Sequence, residues 1–99
     1  MKKTLRKNKK HDFYYFGTSW CGYCKQFNTV WNDIKKSYKN KNITFKKILI
    51  NEKNQYLINE FSIKSYPSLI FVKNNGNHVL YKSDKREKKD IITFLKNNI

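Results

Sequence analysis

Two cysteines, Cys21 and Cys24, stand two residues apart in Ser19-Trp20-Cys21-Gly22-Tyr23-Cys24-Lys25 and are the only thiols in the 99-residue chain. Such a pair has three uses: thiol–disulfide exchange, half of a metal site, or two small apolar core residues. A structural zinc site needs four ligands, and outside the pair only His11 and His78 offer imidazoles. They lack the short His-x₃₋₅-His spacing of zinc sites. No intrachain metal site is therefore expected, although a cluster pooled between two chains stays open. Inert burial is common for single thiols, but a pair flanked by Trp20 is not its usual setting.

The chemistry depends on what holds the pair. Phe13-Tyr14-Tyr15-Phe16 is a short aromatic run suited to a buried strand. Gly17, Thr18 and Ser19 break it. Cys24, Phe27, Trp31, Ile34 and Tyr38 then recur at steps of three and four, the signature of one buried helix face from about Gly22 to Tyr38. Cys21 thus falls at a helix N-terminus, where unpaired N–H groups and the macrodipole favour a thiolate. Cys24 comes round to the same face one turn later. Gly22 lets the chain turn and leaves the first sulfur open. Cys21 is read as the attacking thiol and Cys24 as the more buried resolving thiol, with Lys25 adding positive field near them.

The remaining elements follow from pattern and punctuation. Residues 43–50 read as a strand, and residues 51–61 contain a shorter helix carrying Tyr56, Leu57, Ile58 and Phe61. Pro67, the only proline, marks the start of a strand through Leu69–Val72, because proline lacks a ladder N–H. Asn75-Gly76 signals a tight primed hairpin turn returning through residues 78–81. Asp84 and Glu87 form a candidate capping box for a last helix that turns Ile91, Ile92, Phe94 and Leu95 inward. The order β-α-β-α-β-β-α implies an α/β fold: a mixed four-stranded sheet with helices on both faces.

Composition narrows the function classes. The length allows one domain, read as residues 12–99 behind a flexible basic arm of residues 1–11 that includes His11. Two cysteines exclude a disulfide-stapled scaffold. Net charge is +15, and six of the 22 basic residues lie in the first ten positions. The other sixteen still outnumber seven acidic residues, so the excess runs along the whole chain. Lysine exceeds arginine 20 to 2, and with abundant Asn and Ile this matches an AT-rich coding bias. Scarce arginine argues against nucleic-acid binding, since arginine supplies the bidentate phosphate and base contacts. The basic start is not followed by the apolar run of a signal peptide, and no stretch has membrane-spanning length. A cytoplasmic protein is expected, without membrane attachment and monomeric. In a reducing compartment the Cys pair reads as catalytic or metal-binding rather than as a structural disulfide.

Two stretches, "FYYFGTSWCGYCKQFNTVW" and "SYPSLIFVKNNG", give residues 13–97 a resemblance to the thioredoxin superfamily, on its thioredoxin and protein disulfide isomerase side. The chain resembles the minimal core of that fold, without the extra strand and helix that begin ordinary thioredoxins. The resemblance implies protein disulfide oxidoreductase activity, with no cofactor beyond the redox-active Cys21–Cys24 disulfide. Protein disulfides or dithiols would be the substrates, and an electron donor or acceptor would complete the cycle. It further implies a cis Tyr66–Pro67 peptide beside the thiols, a Tyr66 backbone that binds extended substrate, and a docking surface formed with Trp20, Gly22 and Tyr23. Two positions depart from the family pattern. Tyr23 stands where thioredoxins have proline and disulfide isomerases have histidine. Tyr15 replaces a buried acid that assists the second cysteine. Lys47 matches that acid's lysine partner. Glutaredoxins share the Tyr-Cys ending, which makes glutathione an alternative partner, but their glycine-and-aspartate glutathione motif is missing. A binding module using the basic surface is the third reading.

Overall fold

A computed structural model of the protein describes residues 10–38 and 40–99. The elements follow the order β1 (His11–Gly17), α1 (Gly22–Ser37), β2 (Ile43–Leu49), α2 (Tyr56–Glu60), β3 (Ser68–Val72), β4 (His78–Leu80) and α3 (Lys88–Asn98). The strands form one sheet in the order β2-β1-β3-β4. The β1–β2 pair is parallel, whereas β1–β3 and β3–β4 are antiparallel. This is the mixed sheet expected from the sequence, arranged as a thioredoxin-like fold.

Side chains alternate across the strands and divide the interior in two. Phe13 and Tyr15 of β1 and Leu69 and Phe71 of β3 face α1 and α3, which contribute Phe27, Trp31, Ile34, Ile91 and Leu95. Trp31 is the hub, with the Phe13, Tyr15 and Phe45 rings 5.2–5.6 Å away. Phe16 and Ile70 point the other way, to α2 and Ile63, with Tyr14, Leu57, Ile58 and Phe61 packed around them. Helices therefore cover both faces.

Several local expectations are corrected. His11, assigned to the arm, opens β1: its N–H donates to Asn42 O at 2.8 Å, and its Nδ1 accepts from Asn74 N at 2.9 Å. Residues 1–9 of the expected arm lie outside the described residues. The turn at Asn75-Gly76 is not a two-residue primed turn. Gly76 N–H donates to Lys73 O (2.9 Å), Lys73 N–H to Asn77 O (2.7 Å), and only Gly76 takes a positive φ, 96°. This is a three-residue loop closed by a glycine bulge. The capping box lies three residues later than expected, with Glu87 as N-cap and Asp90 reaching back to the Glu87 N–H at 3.2 Å. Ile91 and Leu95 are buried and Phe94 packs at the core edge, while Ile92 is only half-buried.

Candidate active site

The site forms where β1 ends. Gly17 accepts Ile50 N–H at 2.8 Å, and the chain then turns through Thr18–Trp20 into α1. Cys21 is the N-cap, with extended φ and ψ, and its Sγ accepts the Cys24 N–H at 3.1 Å. A thiol thus performs the capping role usually taken by Ser or Asp. No acidic residue lies in the first turn to offset the dipole.

Both cysteines are free thiols and both are buried, Cys21 at 6% exposure and Cys24 at 3%. The expectation that Cys21 stands open is corrected: capping turns its sulfur back over the first turn instead of outward. Gly22 does leave open space, since a Cβ there would meet nothing within 4 Å. Gly17 is the opposite case. A Cβ there would lie 3.1 Å from Cys24 Sγ and 3.2 Å from Tyr15 Cε1. The bare backbone of Gly17 is what lets Cys24 and Tyr15 close over the end of β1.

Tyr15 is fully buried, and its hydroxyl lies 2.9 Å from Cys24 O and 2.7 Å from Asn28 Oδ1. Burial pushes the Tyr15 phenol up, and the neighbouring Cys24 adds to this. Burial also raises the Cys24 thiol, and its hydrogen bond with Cys21 raises it further. A main-chain hydrogen bond from Thr18 and the Tyr15 hydroxyl act in the opposite direction. Burial dominates, so Cys24 rests as a protonated thiol.

The other sequence candidates divide into near and remote. The Tyr66–Pro67 peptide is cis. Tyr66 meets Trp20 edge to face with centroids 6.0 Å apart. Trp20 and Tyr23 are 76% and 74% exposed. A groove of about 760 Å³ runs from Tyr23 and Phe27 past Tyr66 and Pro67 to Lys82 and Arg86. Lys25 is exposed on the first turn, with its main-chain N–H on Cys21 O at 3.3 Å. Lys47 lies over Tyr15, its ammonium 5.5 Å from the ring centroid. His11 opens β1 at the end away from the cysteines, and His78 pairs there through Val72. Among the described residues, no group of three His, Cys, Asp or Glu side chains could hold a metal ion.

The family model for thioredoxin matches residues 1–97. The chain belongs to the thioredoxin family. Protein disulfide-isomerase of Datisca glomerata is 32% identical over 83 residues, which is 84% of this chain and 16% of that protein. Protein disulfide isomerase-like 1-1 of Arabidopsis thaliana is 29% identical over the same shares. The chain therefore spans 16% of the length of these curated relatives. Among solved structures, thioredoxin-2 of the malaria parasite, described as a component of its protein secretion machinery, has 29% identity and a TM-score of 0.74. That match covers 89% of this chain and 82% of the other. The first thioredoxin domain of mouse protein disulfide-isomerase A4 has a TM-score of 0.77 at 24% identity, over 96% of this chain and 67% of that one, a likeness of fold.

Two residues of this thioredoxin-family site escape the sequence reading. Asn28 lies one turn beyond Cys24 and contacts Tyr15, but its helix position reads as an ordinary polar flank. Arg86 donates from Nη2 to Pro67 O at 3.1 Å, tying the segment before α3 to the cis peptide. A signal for it does exist. It is one of two arginines in a chain with twenty lysines, and a planar fork suits a fixed carbonyl better than an ammonium does.

Proposed function

We propose that the protein exchanges disulfides with protein substrates through Cys21 and Cys24, as a thiol–disulfide oxidoreductase. The observation that supports this best is the Cys21 sulfur capping α1, with Cys24 behind it and the cis Tyr66–Pro67 peptide beside the same groove. The family match and the disulfide-isomerase relatives support the same class.

In the reducing direction, the Cys21 thiolate attacks one sulfur of a substrate disulfide. A Cys21–substrate bond forms, and the other substrate sulfur leaves as a thiolate that takes a proton. Cys24 then loses its proton and attacks Cys21 Sγ. The Cys21–Cys24 bond forms, the mixed disulfide breaks, and the second substrate thiolate leaves and is protonated. An external dithiol restores the pair, and the reverse sequence oxidises a substrate dithiol. Trp20, Tyr23 and the Tyr66 backbone flank the path of an extended substrate segment.

Reduction of insulin disulfides in dithiothreitol tests the activity. Cys21→Ser should abolish catalysis, and Cys24→Ser should accumulate mixed disulfides on Cys21. A Cys24→Ser protein that keeps full activity with glutathione would instead support the glutathione-linked reading. Equilibration with glutathione should place the potential nearer about −200 mV than the roughly −270 mV of thioredoxin, because Tyr23 and Tyr15 replace features of strong reductants. A potential at or below thioredoxin's would overturn that expectation.

A further inference from the structure

The resolving thiol is buried against a hydroxyl. Tyr15 has one hydroxyl proton and two acceptors in reach, Cys24 O at 2.9 Å and Asn28 Oδ1 at 2.7 Å. Cys24 O already faces the Asn28 N–H one turn along the helix ladder, so it does not depend on the phenol. The Asn28 amide can present either its oxygen or, turned over, its nitrogen to the Tyr15 oxygen. The ring edge beside the hydroxyl and Cys24 Sγ crowd the same point, the Cβ position that Gly17 leaves empty. The phenol proton is therefore free to turn toward sulfur without leaving a buried group unpaired.

We propose that Tyr15, positioned by Asn28, is a switchable hydrogen-bond donor to Cys24. Its proton stays on the carbonyl or amide oxygen while Cys24 is a thiol, and turns to Sγ when Cys24 becomes a thiolate. The idea rests on the disulfide-exchange reading and gives its resolving step a source of stabilisation. Charge-assisted hydrogen bonds are the strong ones, and a neutral donor adds no negative charge beside the sulfur. The phenol is a donor and not a base, because burial holds its proton in place. The proton that Cys24 loses in resolution therefore ends on the departing substrate thiolate. The Cys21–Cys24 bond forms as the Cys21–substrate bond breaks, and no other oxidant or reductant enters. The titratable groups acting on Cys24 are Cys21 and Tyr15, with the Lys47 ammonium on the Tyr15 ring.

The test needs no substrate. In a Cys21→Ser background Cys24 is the only thiol, and the ultraviolet absorbance of its thiolate reports its titration. Tyr15→Phe keeps the ring packed and should raise the midpoint by about one pH unit, a tenfold loss of thiolate at fixed pH. Asn28→Ala should raise it by less, and should add nothing once Tyr15 is Phe. An unchanged midpoint in Tyr15→Phe overturns the proposal, as does an Asn28→Ala effect undiminished by loss of the hydroxyl. If Tyr15→Phe fails to fold, Asn28→Ala decides alone, and an unchanged midpoint is then the adverse result. Insulin reduction by the wild-type protein separates the two ideas: inactivity there with the Tyr15 effect intact would remove the proposed function and leave the donor.

Discussion

The two faces of the sheet are built to different standards. On the α1 and α3 side, Phe13, Tyr15, Trp31, Leu69, Phe71, Ile91 and Leu95 are all at most 2% exposed. On the α2 side, the strands contribute buried Phe16 and Ile70, but no residue of the five-residue helix is itself buried. The cause is length. The 16-residue α1 carries an apolar stripe through about four turns, whereas a single turn has too few positions to bury one. Both thiols sit on the well-packed side, where neighbours fix their geometry.

Truncating one aromatic on each face should expose the difference most clearly. Trp31→Ala removes the hub of the thiol face and should cost about 3–5 kcal/mol. That is a large share of the roughly 5–15 kcal/mol that holds a domain together. Phe61→Ala on the half-buried α2 face should cost about 1–2 kcal/mol. Urea unfolding of the reduced protein measures both, read from midpoints at unchanged slope. Equal losses would break the comparison.

A smaller effect tests how tightly the thiol face closes over its chemistry. Gly17→Ala places a methyl 3.1 Å from Cys24 Sγ and 3.2 Å from the Tyr15 ring, so one of them must move. The cost should be about 1–3 kcal/mol, as for overpacking elsewhere. Gly22→Ala, one residue beyond Cys21 and with nothing within 4 Å of its Cβ, should change stability by no more than about 0.5 kcal/mol. The same urea titration checks the pair, and a tolerated Gly17→Ala would mean that the site has slack.

The faces should also differ in pH response. The Cys24 thiol is raised from its ordinary 9.0 and the Tyr15 phenol from its ordinary 10.0, so the folded state holds both protons more tightly than the unfolded chain. The stability this contributes is whole below the unfolded values and is lost as pH climbs from about 9 through the folded values. The urea midpoint of the reduced protein should be level near neutral pH and lower near pH 10. Cys24→Ser should fall less steeply, while Phe61→Ala should parallel the wild type. A Cys24→Ser protein that declines as steeply as the wild type would place the alkaline loss elsewhere.

What was legible in the residues follows the same division. The α1 face could be read from Cys24 to Ile34 because deep burial admits only apolar side chains at every turn. Pro67 was legible as a strand boundary, and the family resemblance supplied its cis peptide. The region before α2 was harder to read. Asn51 N–H donates to Asn54 Oδ1 at 2.7 Å, and Asn54 Nδ2 donates to Leu49 O at 3.0 Å. These side-chain bonds compete with a helix, so α2 starts only at Tyr56. At α3, Asp84 followed by Glu87 fits the capping pattern and glutamate is not a favoured N-cap, so the pattern points one turn too early: Glu87 caps the helix, with Asp90 reaching back to it. The contacts of Asn28 and Arg86 join positions distant in sequence, which no local pattern encodes.

The smallest effect bears on why the α2 face is thin. After α2, Ser62 takes φ 55°, a left-handed conformation that costs a residue with a Cβ about 1–2 kcal/mol. Ile63 N–H closes the helix end onto Ile58 O at 2.9 Å, which is the bond that swings buried Ile63 under Phe16 and Ile70. The strained residue is therefore the hinge of that face's packing. Ser62→Gly removes the Cβ penalty, and glycine's greater unfolded entropy returns about half of the gain. A net stabilisation of about 0.5–1 kcal/mol should appear in the urea midpoint, with insulin reduction unchanged because the thiols lie across the sheet. A loss of stability would mean that the serine side chain, and not the backbone, holds the turn.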